Sequence, residues 1–305
     1  MPAAEVLRAA AAQIDVVPFD IDANIEKHLV VMEDARARGA ELLLFPELSL
    51  TGYDVGMRGP EIAMTDIDPA LLRLAAAARD MTVIVGFVEE GYAAQFFNSA
   101  AVLRDGEVAF VHRKLNLATY GMLEEAKFFA TGRYVEPFRV KEHYAASLLI
   151  CADMWNPALV HLAALHGCTL LLAPINSAAD SVSGAFSNPH GWQTVLSFYA
   201  MIYGLPIVMA NRIGQEGGLR FWGGTRILDA FGNELGAAAL QGEDLIVADL
   251  DYGDVRRARF QLPTVRDSNL DLVHREVNRL AERIGVPAAL RQRRAAEPAP
   301  PAGGS

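Results

Sequence analysis

The chain has 305 residues, 52% of them hydrophobic and 21% charged, enough aliphatic side chains for a sizeable core and too many for a disordered chain. A formal net charge of -10 repels phosphate backbones and anionic lipid surfaces, which argues against nucleic acid or a membrane as partner. Two cysteines, Cys151 and Cys168, are too few for a disulfide framework and fit a reducing compartment.

The opening residues MPAAEVLRAAAAQIDV carry Glu5 and Arg8 where an export signal needs an unbroken apolar stretch, so a cytoplasmic location is expected. RAAAAQIDV reads as a strand. Ile25, Leu29, Val30, Met32 and Ala35 fall near helical spacing and predict a helix from about Ala23 to Arg38, with LLLF following as a buried strand. Helix recurs around Pro69 to Arg79. TVIVGFVEE, NSAAVLRDGEVAFVHRK and the ASLLIC run supply further strands, Asp105 and Gly106 forming a hairpin turn of the favoured Asp-Gly kind. NPALVHLAALHG predicts a helix stopped by Gly167, ahead of the strand TLLLAPI. A helix from about His190 to Tyr203, the strand PIVMA, a hairpin near Thr225 to Leu235 and the strand EDLIVADL come next. The most apolar window, VLSFYAMIYGLPIVMA, is broken by Gly204 and Pro206 and falls short of a membrane span. NLDLVHREVNRLAERIG closes the series as an amphipathic helix. Strand and helix alternate throughout, which predicts an α/β domain whose helices cover a largely buried sheet. No Pro/Gly-rich linker interrupts the middle, so one domain over residues 1–290 is expected, with a disordered low-complexity tail over 291–305.

Three polar residues stand just after strand-like runs: Glu47 in LLLFPELSL, Lys114 in HRKLNL and Cys151 in LLICADMW. A polar group buried beside an apolar sheet costs roughly 1 to 3 kcal/mol unless it is paired. Ligand sites of α/β proteins lie at the carboxyl ends of strands, so convergence on one pocket would explain all three. The trio also makes chemical sense. A thiol with a reference pKa of about 8.5 needs a base or a nearby cation to attack a carbonyl or nitrile carbon, and an ammonium can neutralise the oxyanion that forms. Each residue alone has an ordinary explanation: core packing for Cys151, a cap or ion pair for Glu47, a solvated strand end for Lys114 beside His112 and Arg113. Cys168, in HGCTLLL, fits the core role. No G-x-S-x-G motif suggests a serine hydrolase, and His161 and His166 are five apart with no H-E-x-x-H, so no metal is called for.

FPELSLTGY, HRKLNL followed by YGMLEEAKFF, and LLICADMW closely resemble, in this order, the three motif regions of the nitrilase superfamily, the carbon-nitrogen hydrolases. The resemblance runs from about Val6 to Asp254 and takes in AQID, FNSAAVL, APINSA and FWGGTRILDAFGN. It implies a four-layer αββα sandwich with an internal two-fold arrangement, dimerising into a longer stack as a homodimer or higher homo-oligomer, with no cofactor. It further implies Glu47 as general base, Lys114 as oxyanion stabiliser and Cys151 as nucleophile, forming a thioester that water hydrolyses. The Ala152 amide is the implied second oxyanion donor. A second family glutamate follows the lysine, and aligning YGMLEEAKFF on its tyrosine and paired aromatics puts that role on Glu125 rather than Glu124. Ala152, Asp153, Met154 and Trp155 after the cysteine are similar to the amidase and glutaminase-type branches rather than to true nitrilases, although Ala118 stands where amidase relatives often carry proline. The expected reaction is hydrolysis of a small carboxamide to a carboxylic acid and ammonia. Nitrile or N-carbamoyl hydrolysis, acyl transfer to an amine and a non-catalytic scaffold are the alternatives. Tyr53, Tyr120, Met154, Trp155, Asn176 and Trp192 are the expected substrate contacts, each equally suited to packing, and residues 178 to 192 are a candidate entrance loop.

Overall fold

The computed structural model describes residues 5–179, 181–182 and 186–285; the tail expected over 291–305 lies outside them. The chain divides into a unit ending at Pro263 and a second beginning at Thr264.

In the first unit the early strands are β1 (Val6–Gln13), β2 (Leu42–Leu44), β3 (Thr82–Glu90), β4 (Phe96–Arg104) and β5 (Glu107–Arg113). Next come β6 (Phe138–Arg139), β7 (Ala145–Leu148), β8 (Leu170–Ile175), β9 (Ile207–Asn211), β10 (Ile213–Glu216) and β11 (Leu219–Trp222). The last three are β12 (Arg226–Leu228), β13 (Glu234–Ala237) and β14 (Asp244–Asp251). They form two six-stranded sheets, ordered β14-β1-β2-β3-β4-β5 and β13-β12-β9-β8-β7-β6, plus the separate hairpin β10-β11. Within the first sheet the β1, β2 and β3 pairings are parallel and the rest antiparallel; within the second, β7, β8 and β9 play the same part. This common pattern is the internal two-fold arrangement that the motif resemblance implies.

The layering follows from strand alternation. Ala9, Ala11, Leu42 and Leu44 of the first sheet share one core with Ala146, Leu148, Leu170 and Leu172 of the second. Their neighbours Ala10, Ala12 and Leu43 point the other way, onto Ile25, Met32 and Ala35 of helix α1 (Ile21–Ala37) and, past a short α2 (Gly59–Ile62), onto Leu71, Leu74 and Ala78 of α3 (Pro69–Ala78). On the opposite side, α4 (Pro157–Leu165) and α5 (Asn188–Tyr203) supply Val160, Ala163, Leu196 and Ala200 to the core of the second sheet. Helix, sheet, sheet, helix is the expected order of layers.

Local chemistry sets the element ends. Asp105 and Gly106 both have positive φ, 55° and 85°, as the β4-β5 hairpin turn requires. Asn156 caps α4 by accepting from the Ala158 amide, Pro157 occupies its first position, and Gly167 at φ 85° follows its end. Helix α6 (Tyr252–Gln261) has no counterpart in the sequence reading, because YGDVRRARFQ buries only Val255 and Ala258 and shows no apolar stripe. The β10-β11 hairpin was equally hidden in NRIGQEGGLRFW. The second unit contains the expected last helix, α7 (Leu270–Arg283), whose Asn269 cap accepts from the Leu272 amide. Among the described residues no helix is long and apolar enough to cross a membrane.

Candidate active site

Glu47 and Cys151 do not stand directly on strand ends: β2 stops at Leu44 and β7 at Leu148, and each residue lies in the turn beyond. The Glu47 turn lies against β3 so closely that a Cβ on Gly86 would sit 2.2 Å from the Leu48 nitrogen and 2.7 Å from the Pro46 oxygen. Glycine at 86 is what admits the turn. Ser49 pins it further, accepting from the Gly86 amide at 3.2 Å. Lys114 follows β5 immediately, its own amide donating to the Asn98 carbonyl at 2.8 Å.

These elements bring three buried charged groups together. Lys114 Nζ donates to Glu47 Oε1 at 2.6 Å and to Glu125 Oε1 at 2.8 Å, with Lys114 and Glu47 only 0% and 1% exposed. Asn98 Nδ2 also donates to Glu47 Oε1, and the Asn176 backbone amide to Oε2, at 2.7 and 2.8 Å. Glu125 is braced in turn: the Tyr53 hydroxyl donates to Oε1 at 2.6 Å and the Ala118 amide to Oε2 at 3.1 Å. Glu124 points elsewhere and pairs with Lys127 at the surface. Of the two adjacent glutamates, Glu125, the one the motif alignment favours, is the one that meets Lys114.

Cys151 opens a short 3-10 turn, Cys151–Trp155, with φ at 45°, a left-handed conformation that few residues with side chains adopt. Asp153 holds the turn in place. Its Oδ2 accepts from the Ile150 amide at 2.9 Å, and its Oδ1 from the Leu115 and Asn116 amides at 3.0 and 2.6 Å. One buried carboxylate thus ties the turn at Cys151 to the loop leaving Lys114.

Electrostatics link the thiol to the charged cluster. Burial first, and then the Glu47 and Glu125 charges, push the Cys151 thiol well above its ordinary range, against the opposing pull of Lys114 and the Asn176 amide. The cation alone does not yield a thiolate, contrary to the simplest expectation from sequence, because burial and the carboxylates outweigh it. Burial also raises Glu47 despite Lys114 and Asn98. For Lys114 burial works downward, yet Glu125, Glu47 and Cys151 more than offset it and hold the ammonium well above its usual range. The arrangement is a buried ammonium between two carboxylates, with a protonated thiol and a carboxylate of raised basicity beside it.

The expected contact residues divide. Tyr53 joins the cluster directly. The Tyr120 phenol is raised by burial and by neighbouring Cys151, although the residue as a whole is 40% exposed. Asn176 is buried with neither side-chain Nδ2 nor Oδ1 hydrogen-bonded. Ala152 is buried beside Tyr53, Leu48 and Ala118. Met154 packs into the inter-sheet core. Trp155 lies 4.9 Å from the Trp192 ring and 5.7 Å from Phe186, while Trp192 Nε1 donates to Ser177 Oγ at 2.9 Å. A cleft of about 210 Å³ lies on the Glu125 side, lined by Tyr53, Glu125, Met122, Phe128 and Leu219. Residues 180 and 183–185 of the candidate entrance loop lie outside the described residues. Asn98 and Ser177, in FNSAAVL and APINSA, are not among the site residues expected from sequence, and Asp153, expected only as a mark of the family branch, proves to be the anchor of the Cys151 turn. Elsewhere, Glu5, Glu142 and His143 bring possible metal-ligand atoms within 4.8 Å of one another, but His143 already hydrogen-bonds Glu5.

The two-sheet fold and this cluster define a class. Residues 8–260 match the carbon-nitrogen hydrolase family, and the chain belongs to it. The glutamine-dependent NAD(+) synthetase of Thermotoga maritima is 29% identical over 290 residues, 92% of this chain and 48% of that protein. The chain thus spans about half the length of the NAD(+) synthetases it matches. The citrullinase of Francisella tularensis subsp. tularensis is 24% identical over 277 residues, covering 86% of this chain and 97% of its own. Among solved structures, a variant of the amidase from Nesterenkonia sp. AN1 is 27% identical with a TM-score of 0.74, covering 88% of this chain and 96% of that one. That amidase shows covalent addition of the acetamide moiety of fluoroacetamide at its active-site cysteine.

Proposed function

We propose that this protein hydrolyses a small carboxamide to a carboxylic acid and ammonia through a thioester on Cys151. The observation that carries the reading is the buried Glu47-Lys114-Glu125 cluster beside the Cys151 thiol. Because the thiol is held protonated, attack requires a base, and Glu47, with its affinity for protons raised by burial, is suited to take the Sγ proton as sulfur bonds to the carbonyl carbon. The oxyanion is stabilised by the Lys114 ammonium and the Ala152 amide. Collapse breaks the C–N bond, Glu47 returns its proton to the departing ammonia, and Cys151 keeps the acyl group. Water then attacks the thioester with Glu47 again as base, releasing the acid and restoring the thiol. Glu125, braced by Tyr53 and Ala118, holds Lys114 in position.

Two further points support a carboxamide. The unpartnered Asn176 side chain offers a donor group, Nδ2, and an acceptor, Oδ1, a pattern a carboxamide answers and a nitrile does not; left unpaired, such groups cost roughly 1 to 3 kcal/mol. The amidase relative carries an amide-derived group on its cysteine. The citrullinase relative, which this chain matches nearly end to end, favours a ureido compound as the second reading.

The test offers one acyl group as amide, nitrile and ureido compound and follows ammonia release. Amide turnover about tenfold or more above the others is expected. Faster nitrile or ureido turnover rejects the carboxamide reading, and silence from all three with no acyl adduct on Cys151 by intact mass rejects the hydrolase reading.

A further inference from the structure

Tyr53 reaches Glu125 from a loop that has no strand or helix to hold it, and the β10-β11 hairpin supplies what is missing. Glu216, at the end of β10, accepts from the Tyr53 amide through both carboxylate oxygens at 2.9 and 3.1 Å and from the Asp54 amide at 2.8 Å. Contact is close enough that a Cβ on Gly52, at φ 91°, would lie 2.9 Å from Glu216 Oε1. Arg212, with its side chain fully buried, holds Glu216 by an Nη1 bond to Oε2 at 2.5 Å. Its Nη2 reaches the Val16 carbonyl at 3.1 Å and Asp15 Oδ1 at 3.4 Å, and its Nε the Ile213 carbonyl at 3.3 Å. The same guanidinium lies 4.4 Å over the Phe221 ring of β11, and Phe221 meets the Tyr53 ring edge-on at 6.0 Å. The hairpin therefore grips both the backbone and the ring of Tyr53, whose hydroxyl then falls on Glu125.

A buried ion pair is weak grounds for stability, since well-packed apolar residues usually do as well or better. What an apolar pair cannot do is accept two consecutive backbone amides and so fix the course of the loop. We propose that Arg212 and Glu216 are positioning residues for the reaction, acting through Tyr53 to hold Glu125, and with it Lys114, in the geometry that activates Cys151. The inference rests on the proposed function in taking Glu125 and Lys114 as part of the reacting group.

The test measures alkylation of Cys151 by iodoacetamide in the full chain across pH, by intact mass in a Cys168→Ala background, and so needs no knowledge of the substrate. Tyr53→Phe and Glu216→Gln are each expected to slow alkylation about tenfold near neutral pH. Without the Tyr53 bond Glu125 draws harder on Lys114, Glu47 loses part of its counter-charge, and the acid-side midpoint moves to higher pH. Both variants should show this shift. The double variant should be no slower than Glu216→Gln by more than about twofold, because both act through one hydroxyl. Phe221→Leu keeps the Arg212-Glu216 bond but removes the aromatic ring that packs on the Tyr53 ring and under the guanidinium, with an expected slowing of about threefold that also vanishes in the Tyr53→Phe background; it decides the matter if Glu216→Gln does not fold by circular dichroism. A wild-type rate and midpoint in Tyr53→Phe, or effects that multiply in the doubles, overturns the proposal. Absence of carboxamide turnover in the wild type would instead count against the proposed function and leave this comparison of alkylation rates standing.

Discussion

The two cysteines of this chain form a natural experiment. Both are buried, both flank strands of the second sheet, and in both burial is the largest cause raising the thiol above its ordinary range. Cys168 precedes β8, and its Sγ donates to the Leu170 carbonyl at 2.9 Å. Among the described residues the groups that act on this thiol are Ser147, Leu170 and Arg259, none of them a carboxylate, and Arg259 donates to the Cys168 carbonyl. Cys151 instead opens a turn at positive φ and shares its surroundings with Glu47, Lys114 and Glu125. Burial does not separate the two thiols. Under the proposed function the difference is a base beside Cys151 and a cation placed for the charge that develops.

Four substitutions would break or sharpen this contrast. Cys151→Ala should lower turnover by about a thousandfold or more and remove the acyl adduct, while circular dichroism and the melting temperature stay near wild type, because the turn loses only a sulfur atom. Retained turnover would erase the distinction between the two thiols. Glu47→Gln should cost about a hundredfold in kcat with KM little changed, since shape survives and basicity does not. In the wild type the same residue should set the acid limb. Because burial raises its pKa, activity should fall as pH drops through that raised value, since protonated Glu47 cannot accept the Sγ proton. The limb should disappear in Glu47→Gln, and a limb that persists unchanged assigns it to another group. Asp153→Asn replaces an acceptor of three amides with a group that is half donor, so about a tenfold loss of rate and a lower melting temperature are expected. Cys168→Ala should change the rate by less than about twofold and cost about 1 to 2 kcal/mol in chemical denaturation, the loss of a packed sulfur and one weak hydrogen bond.

Much of the architecture was legible because it rests on local periodicity. The apolar run LLL of β2, the Asp105-Gly106 turn and the stop at Gly167 each encode their element within a few residues. Helix α6 was not legible, since a helix that buries two side chains leaves little trace in hydrophobic spacing. Nor was the β10-β11 hairpin, since Glu216 and the preceding Arg212 are residue types usually found at the surface, and only the fold buries them together.

The sequence by itself determined most of the order of strands and helices, the motif residues Glu47, Lys114 and Cys151, and the kind of chemistry such a set can perform. Only the tertiary structure decided that Lys114 bridges Glu47 and Glu125, that Asn98 and Asp153 tie this group to its neighbours, and that Arg212 and Glu216 pair against the Tyr53 backbone. The physical reason is range. Propensity, capping and alternation act over a turn or two of chain, whereas a hydrogen bond between residues far apart in sequence exists only after folding has excluded water from both partners.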